Sequence, residues 1–157
     1  MLKIPSKVSV TLSLVLAFAV GLVGIVWATV LPKTVRILLE ARESVETLVP
    51  DICKSELLLT VLAYLALSAV LFADGLMIPL LFRVRDGRVF TSETVALIRG
   101  ISWCCILLGA VLCLIGLYFT LAFLIAGLAI FLGLCLRVVK NVIEEAVEIK
   151  SENDLTV

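Results

Sequence analysis

One acidic residue, Asp74, interrupts the otherwise apolar stretch VLFADGLMIPLLF at residues 70–82. A carboxylate in a membrane-spanning helix is costly, and such residues commonly line proton, ion or ligand pathways. The same side chain can instead form a hydrogen bond to a neighbouring helix. Its candidate polar neighbours are Ser13, Ser102 and Cys105, which we expect at about its depth. The sequence therefore leaves two alternatives for Asp74, a structural interhelical hydrogen bond or a functional proton or ligand site.

Other residues suited to chemistry are few. The chain has no histidine, which removes the side chain best suited to proton transfer near neutral pH and the commonest metal ligand. Four of its five cysteines lie inside apolar runs, where cysteine usually acts as a small apolar residue. No nucleophile has a nearby base, and no glycine-rich phosphate loop is present. We therefore predict no catalytic residue, no metal site and no cofactor, and a protein that is not an enzyme.

The elements that must position Asp74 are membrane-spanning helices. Hydrophobic residues make up 62% of the 157 residues, far above the share in soluble domains. The apolar runs predict four transmembrane helices, at about residues 8–31, 57–82, 96–116 and 120–140. The last two come from one run, residues 95–136, which as a single helix would be about twice as long as a bilayer is thick. We therefore predict an all-α integral membrane domain with a turn between Gly116 and Thr120.

Small residues recur at steps of three and four along each predicted helix, for example Ser102, Cys105, Gly109, Cys113 and Gly116 in the third. Such stripes let helix backbones approach closely in lipid. They predict a closely packed four-helix bundle, and the same faces could form a homodimer.

With the N-terminus inside, nine lysines and arginines lie on the inner side and four on the outer side, which predicts both termini in the cytoplasm. The net charge of zero gives no indication of direct nucleic-acid binding.

The outer connection between the first two helices has its own periodicity. Apolar and charged residues occupy separate faces over about residues 34–49, between Pro32 and Pro50. This pattern predicts an amphipathic outer helix, either a packed connector or a ligand-sensing cap that uses Glu40 and Glu43.

The inner connection carries a basic cluster, Arg83, Arg85 and Arg88, that suits anchoring against the lipid bilayer or a partner site. After it, Thr91 is a good N-cap for the third helix, with Phe90 in front of it as part of a hydrophobic staple.

The tail, residues 141–157, is predicted to continue the fourth helix into the cytoplasm, with an apolar stripe and an acidic face. It is either a solvated helix end or a docking element for a cytoplasmic protein. Its candidate docking residues are Glu144, Glu145, Glu148, Glu152, Asn153, Asp154, Leu155, Thr156 and Val157.

Two patches, GRVFTSETVALIRGISW (residues 87–103) and EEAVEIKSENDLTV (residues 144–157), carry a family resemblance. Through Gly87, Phe90, Thr91 and residues 152–157 the chain resembles the DUF 2975 family of small four-helix bacterial membrane proteins of unknown function. The resemblance implies four transmembrane helices, a bacterial inner membrane and no established activity. It also implies a possible cytoplasmic partner, because members resemble products encoded beside helix-turn-helix regulators of the Xre type. Asp74 and the long outer helix are not part of that pattern.

The sequence leaves three functions open. The first is a non-enzymatic regulatory or interaction protein, in which the outer helix senses and the inner connection and tail signal. The second is a small transporter or ion-conducting protein that uses Asp74. The third is an immunity or stress-protection membrane protein.

Overall fold

In the part of the chain that the structure describes, four helices follow one another. They are α1 (Ser6–Arg42), α2 (Glu56–Arg85), α3 (Ser92–Gly116) and α4 (Thr120–Leu155). The structure is a computed structural model that describes residues 6–42, 55–87 and 89–155, with side chains described for residues 9–40, 55–87 and 89–150. All four helices are long and apolar enough to cross a membrane. The predicted all-α membrane fold is therefore confirmed.

Side-chain caps and a short turn set the helix ends. The Ser55 hydroxyl accepts a hydrogen bond from the Leu58 amide, and Thr91 caps α3 by accepting from the Thr94 amide. Residues 117–119 form the turn from α3 to α4, with the Tyr118 amide donating to the Ile115 carbonyl at 2.9 Å. The turn therefore falls between Gly116 and Thr120.

α1 and α4 are both longer than their predicted spans. Residues 34–42, which the sequence assigns to a separate outer helix, are the last part of α1, and this corrects the predicted boundary at Pro32. The rest of the predicted outer helix, residues 43–49 with Glu43, lies outside the described residues. α4 continues past residue 140 to Leu155, as predicted for the tail.

The continuation of α1 through Pro32 has a physical explanation. Proline lacks the amide hydrogen that would bond to the Ala28 carbonyl, and a freed carbonyl in lipid is costly. The Tyr64 hydroxyl of α2 donates to that carbonyl at 3.0 Å. On either side of the proline, Leu31 and Val35 are buried in a cluster with Leu59 and Tyr118. A hydrogen bond from α2 and apolar packing together stabilise the outer part of α1.

Neighbouring helices pack antiparallel, in chain order. Gly24 of α1 lies against Leu71 of α2, and Gly100 of α3 lies against Leu76 of α2. The α3–α4 interface is the most extensive one in the described residues. The start of α1 and the end of α4 therefore lie on one side, which we call the terminal side. The 117–119 turn lies on the opposite side.

We predict that Tyr64→Phe lowers the free energy of unfolding by about 1 kcal/mol, since it leaves the Ala28 carbonyl without a donor. The measurement is unfolding by a denaturing detergent in bicelles. In a Pro32→Ala background the restored amide hydrogen of residue 32 can donate to the Ala28 carbonyl. Tyr64→Phe should then lower the free energy of unfolding by less than half as much. An equal loss in both backgrounds would contradict this explanation.

Candidate functional site

α4 extends well beyond the thickness of a bilayer. Its 36 residues measure about 54 Å at 1.5 Å per residue, whereas the hydrocarbon core is about 30 Å thick. The charge-free part ends at Leu136, so the excess lies on the terminal side, where Arg137 is the first charge. We call residues 141–155 the α4 extension.

One acid on this extension, Glu144, is held between two cations. The Arg99 guanidinium of α3 donates to the Glu144 carboxylate at 3.1 Å. Lys140, one turn earlier on α4, forms an ion pair with the same carboxylate. Such half-exposed pairs contribute little to overall stability, but this one joins two helices at a defined place. Glu144 therefore attaches the α4 extension to the first part of α3.

A small cleft lies beside this ion-pair network. Its volume is about 200 Å³, and the start of α3 and the α4 extension form its walls. Val95 is buried there and Val147 faces it from α4, while Arg99 and Glu144 form its polar edge. The cleft therefore lies between two helices and has an apolar floor and a charged rim.

The connection from α2 to α3 is fixed by polar contacts. Arg83 at the end of α2 forms an ion pair with Glu93 in the first turn of α3. The Thr91 and Thr94 hydroxyls lie 2.9 Å apart, and Thr94 is almost fully buried. Phe90 is 51% exposed, directly before the cap. The first turn of α3 is therefore held by its cap and by α2.

Closer to the centre of the membrane, α3 and α4 approach each other through small residues. The buried Ser102 hydroxyl donates to the Gly133 carbonyl at 2.8 Å. A side chain at Gly133 would lie 3.1 Å from the Ser102 carbonyl oxygen, and one at Gly109 would overlap Ile130. On the rim of this interface, the Arg137 guanidinium lies 4.5 Å from the centre of the Trp103 ring, a cation–π contact.

The four predicted intramembrane polar residues do not come together. The Asp74 carboxylate lies against α1, 3.0 Å from the position that a Gly21 side chain would take. Ser102 points to α4, and Cys105 lies beside Gly133. Ser13 donates to its own helix at Ser9, about 12 Å along α1 from Gly21. Among the described residues, Asp74 therefore has no hydrogen-bond or ion-pair partner, and the predicted interhelical hydrogen bond is not formed there.

The other predicted site residues are distributed as follows. Glu145 and Glu148 are exposed on the α4 extension, and Arg85 is exposed at the end of α2. Glu40 pairs within α1 with Arg36, at 3.3 Å. Residues 152–155, the predicted Glu152, Asn153, Asp154 and Leu155, continue the helix, and only their backbone is described. Arg88, Thr156 and Val157 lie outside the described residues.

Two features of the site are not predicted from the sequence: the pairing of Arg99 and Lys140 with Glu144, and the stacking of Arg137 on Trp103. The only signal for Lys140 was its spacing of four residues from Glu144 on a helix. Arg99 is 45 residues from Glu144 in the chain, so no local pattern relates them. In the described residues, no three His, Cys, Asp or Glu side chains come together in a way that could hold a metal ion.

The fold and this site define a multi-pass membrane protein with four apolar helices and a charged helical extension on the terminal side. Residues 40–157 match the model of a family described as "Protein of unknown function (DUF2975)", and the chain belongs to that family. The match includes all of α2, α3 and α4, and so the whole ion-pair network, while most of α1 precedes it. No curated protein and no solved structure matches the chain.

We predict that Arg99→Gln loosens the α4 extension while leaving the membrane part of α4 intact. Backbone amide hydrogen exchange over residues 141–150 should become faster by a few-fold, because the extension loses its attachment to α3. Lys150→Gln, which removes a cation from the same helix beyond the network, is the matched control and should leave exchange unchanged. Equal exchange in wild type and Arg99→Gln would show that the ion pair does not hold the extension.

Proposed function

We propose that the chain is a non-enzymatic regulatory or interaction protein of a bacterial inner membrane, with its terminal side in the cytoplasm. The excess of lysine and arginine on the terminal side supports this orientation. The α4 extension would then project into the cytoplasm as the docking element. The single observation that carries the proposal is the attachment of Glu144 to Arg99, because it joins the extension to a membrane helix.

The charge of the tail supports a partner with a basic surface. Residues 141–157 contain five carboxylates and one lysine, a formal net charge of −4. Glu145 and Glu148 are exposed on the described part. DNA-binding proteins present clustered lysine and arginine, so an Xre-type helix-turn-helix regulator fits the tail by charge. An acidic helix on such a surface would compete with DNA, which gives a membrane protein a way to control a regulator.

A movement of the membrane helices could be transmitted to this docking element through α3. Arg99 lies on the same helix as Gly100, which packs against Leu76 of α2. A shift of α2 relative to α3 would therefore displace the partner of Glu144. A role of the outer part of α1 in sensing, with Glu40 and Glu43, stays a prediction.

The docking proposal predicts that the double change Glu145→Lys and Glu148→Lys removes cytoplasmic partners from the protein. The measurement is co-purification of the full-length protein from native membranes, with partners identified by mass spectrometry. Glu56→Lys, which reverses an exposed acid on the opposite side, is the matched control and should retain them. If full-length protein and a version lacking residues 141–157 retained the same partners, docking by the tail would be excluded.

A second candidate function, transport of a proton or small cation, is favoured by one observation. The Asp74 carboxylate is partly buried at the α1–α2 interface, and no cation pairs with it in the described part of the chain. An intramembrane acid of this kind commonly belongs to a conducting pathway.

Transport predicts that proteoliposomes with wild-type protein pass protons or small cations and that Asp74→Asn abolishes this flux. Asn has nearly the same shape but cannot carry the charge, so the loss would be specific to ionisation. Asp86→Asn, which changes an exposed acid at the end of α2, is the control and should leave the flux intact. Equal and negligible flux in all three proteins would leave the regulatory proposal as the better account.

A further inference from the structure

A long apolar groove runs between α2 and α3. Its volume is about 710 Å³, which is within the usual range for ligand sites. Leu65, Ala69 and Phe72 form one wall, and Trp103, Leu107 and Ala110 form the other. The groove has almost no polar lining, because the nearby Ser68 hydroxyl donates to the Leu65 carbonyl of its own helix. It is therefore suited to an apolar chain and not to a water-soluble ligand.

The position of the groove along α3 relates it to lipid. Trp103 lies four residues beyond Arg99, about 6 Å further into the membrane, and Ala110 lies about 10 Å deeper still. No charged residue occurs on α3 over this distance. The groove thus begins close to the charged level of the terminal side and continues into the hydrocarbon region, as one acyl chain of that leaflet does.

The cation Arg137 lies at the terminal-side end of the groove. Arg137 lies over the ring of Trp103, which itself forms part of the groove wall. The nearby basic residues already have acidic partners: Arg83 pairs with Glu93, while Arg99 and Lys140 pair with Glu144. Arg137 is exposed, and among the described residues it contacts the Trp103 ring and forms no ion pair with a carboxylate. Among the described residues, Arg137 is therefore a cation that lies beside the groove wall and has no carboxylate partner.

We propose that this groove and Arg137 form a binding site for one anionic phospholipid. The acyl chain lies between α2 and α3, and the phosphate is held by the Arg137 guanidinium. A guanidinium offers phosphate two parallel N–H donors, and Trp103 restricts its orientation. Basic residues at membrane helix ends attract anionic headgroups in this way. The site shares no residue with the ion-pair network: its walls belong to α2 and α3 within the membrane, and Arg137 is not one of the residues that pair with Glu144.

Native mass spectrometry of the purified full-length protein tests the proposal, with phosphatidylglycerol as the anionic probe and phosphatidylcholine of the same acyl chains as the neutral probe. Wild type should retain one phosphatidylglycerol in preference to phosphatidylcholine. Arg137→Gln should weaken phosphatidylglycerol binding about fivefold and leave phosphatidylcholine binding unchanged, since one cation near the headgroup is lost. Ala110→Phe should weaken both lipids, because the ring fills the groove.

Two matched controls separate the site from general effects. Lys150→Gln removes a cation away from the groove, and Ala19→Phe adds a ring to an exposed position on α1. Both should bind phosphatidylglycerol as wild type does. Equal binding of the two lipids by wild type would overturn the proposal, as would an undiminished preference in Arg137→Gln. A dimer that binds no lipid and separates on Ala110→Phe would also overturn it, since a second copy would then occupy the groove.

Discussion

The hydrogen bond from Ser102 to the Gly133 carbonyl is the contact on which the arrangement of α3 and α4 depends. Lipid is as apolar as the side chains, so helix association relies on close packing and on hydrogen bonds such as this one. The absence of a side chain at Gly133 and Gly109 allows the two backbones to approach. Because the hydroxyl bonds to a backbone carbonyl at 2.8 Å, the register of the two helices is defined at this point.

The same face of α4 continues from the membrane to the terminal side. After Gly133, the residues that contact α3 or join the network are Arg137, Lys140 and Glu144, at steps of four, three and four. These steps keep one face of a helix towards a neighbour. The face therefore changes from small residues in lipid, to a cation stacked on an aromatic ring, to ion pairs at the surface. One packing surface thus serves both the proposed lipid site and the proposed docking element.

Much of the fold could be predicted from the sequence because its signals are local. Apolar run length gave the four helices, Thr91 indicated the start of α3, and the length of the last apolar run required the turn after Gly116. The continuation of α1 through Pro32 could not be predicted, since the compensating hydroxyl of Tyr64 is 36 residues from Ala28. The contacts of the candidate site were harder to predict, because they too join residues that are far apart in the chain. Asp74 and Ser102 lie at similar depths, but only the structure shows that one faces α1 and the other α4.

We infer that α3 and α4 form one rigid pair that includes the α4 extension. The most direct measurement is the distance distribution between spin labels at two exposed positions, Leu114 near the far end of α3 and Glu145 on the extension, in lipid nanodiscs and in a background without native cysteines. A rigid pair should give a single narrow distribution. A broad distribution, with the α3 and α4 membrane segments still helical, would contradict it, because the extension would then move independently of α3.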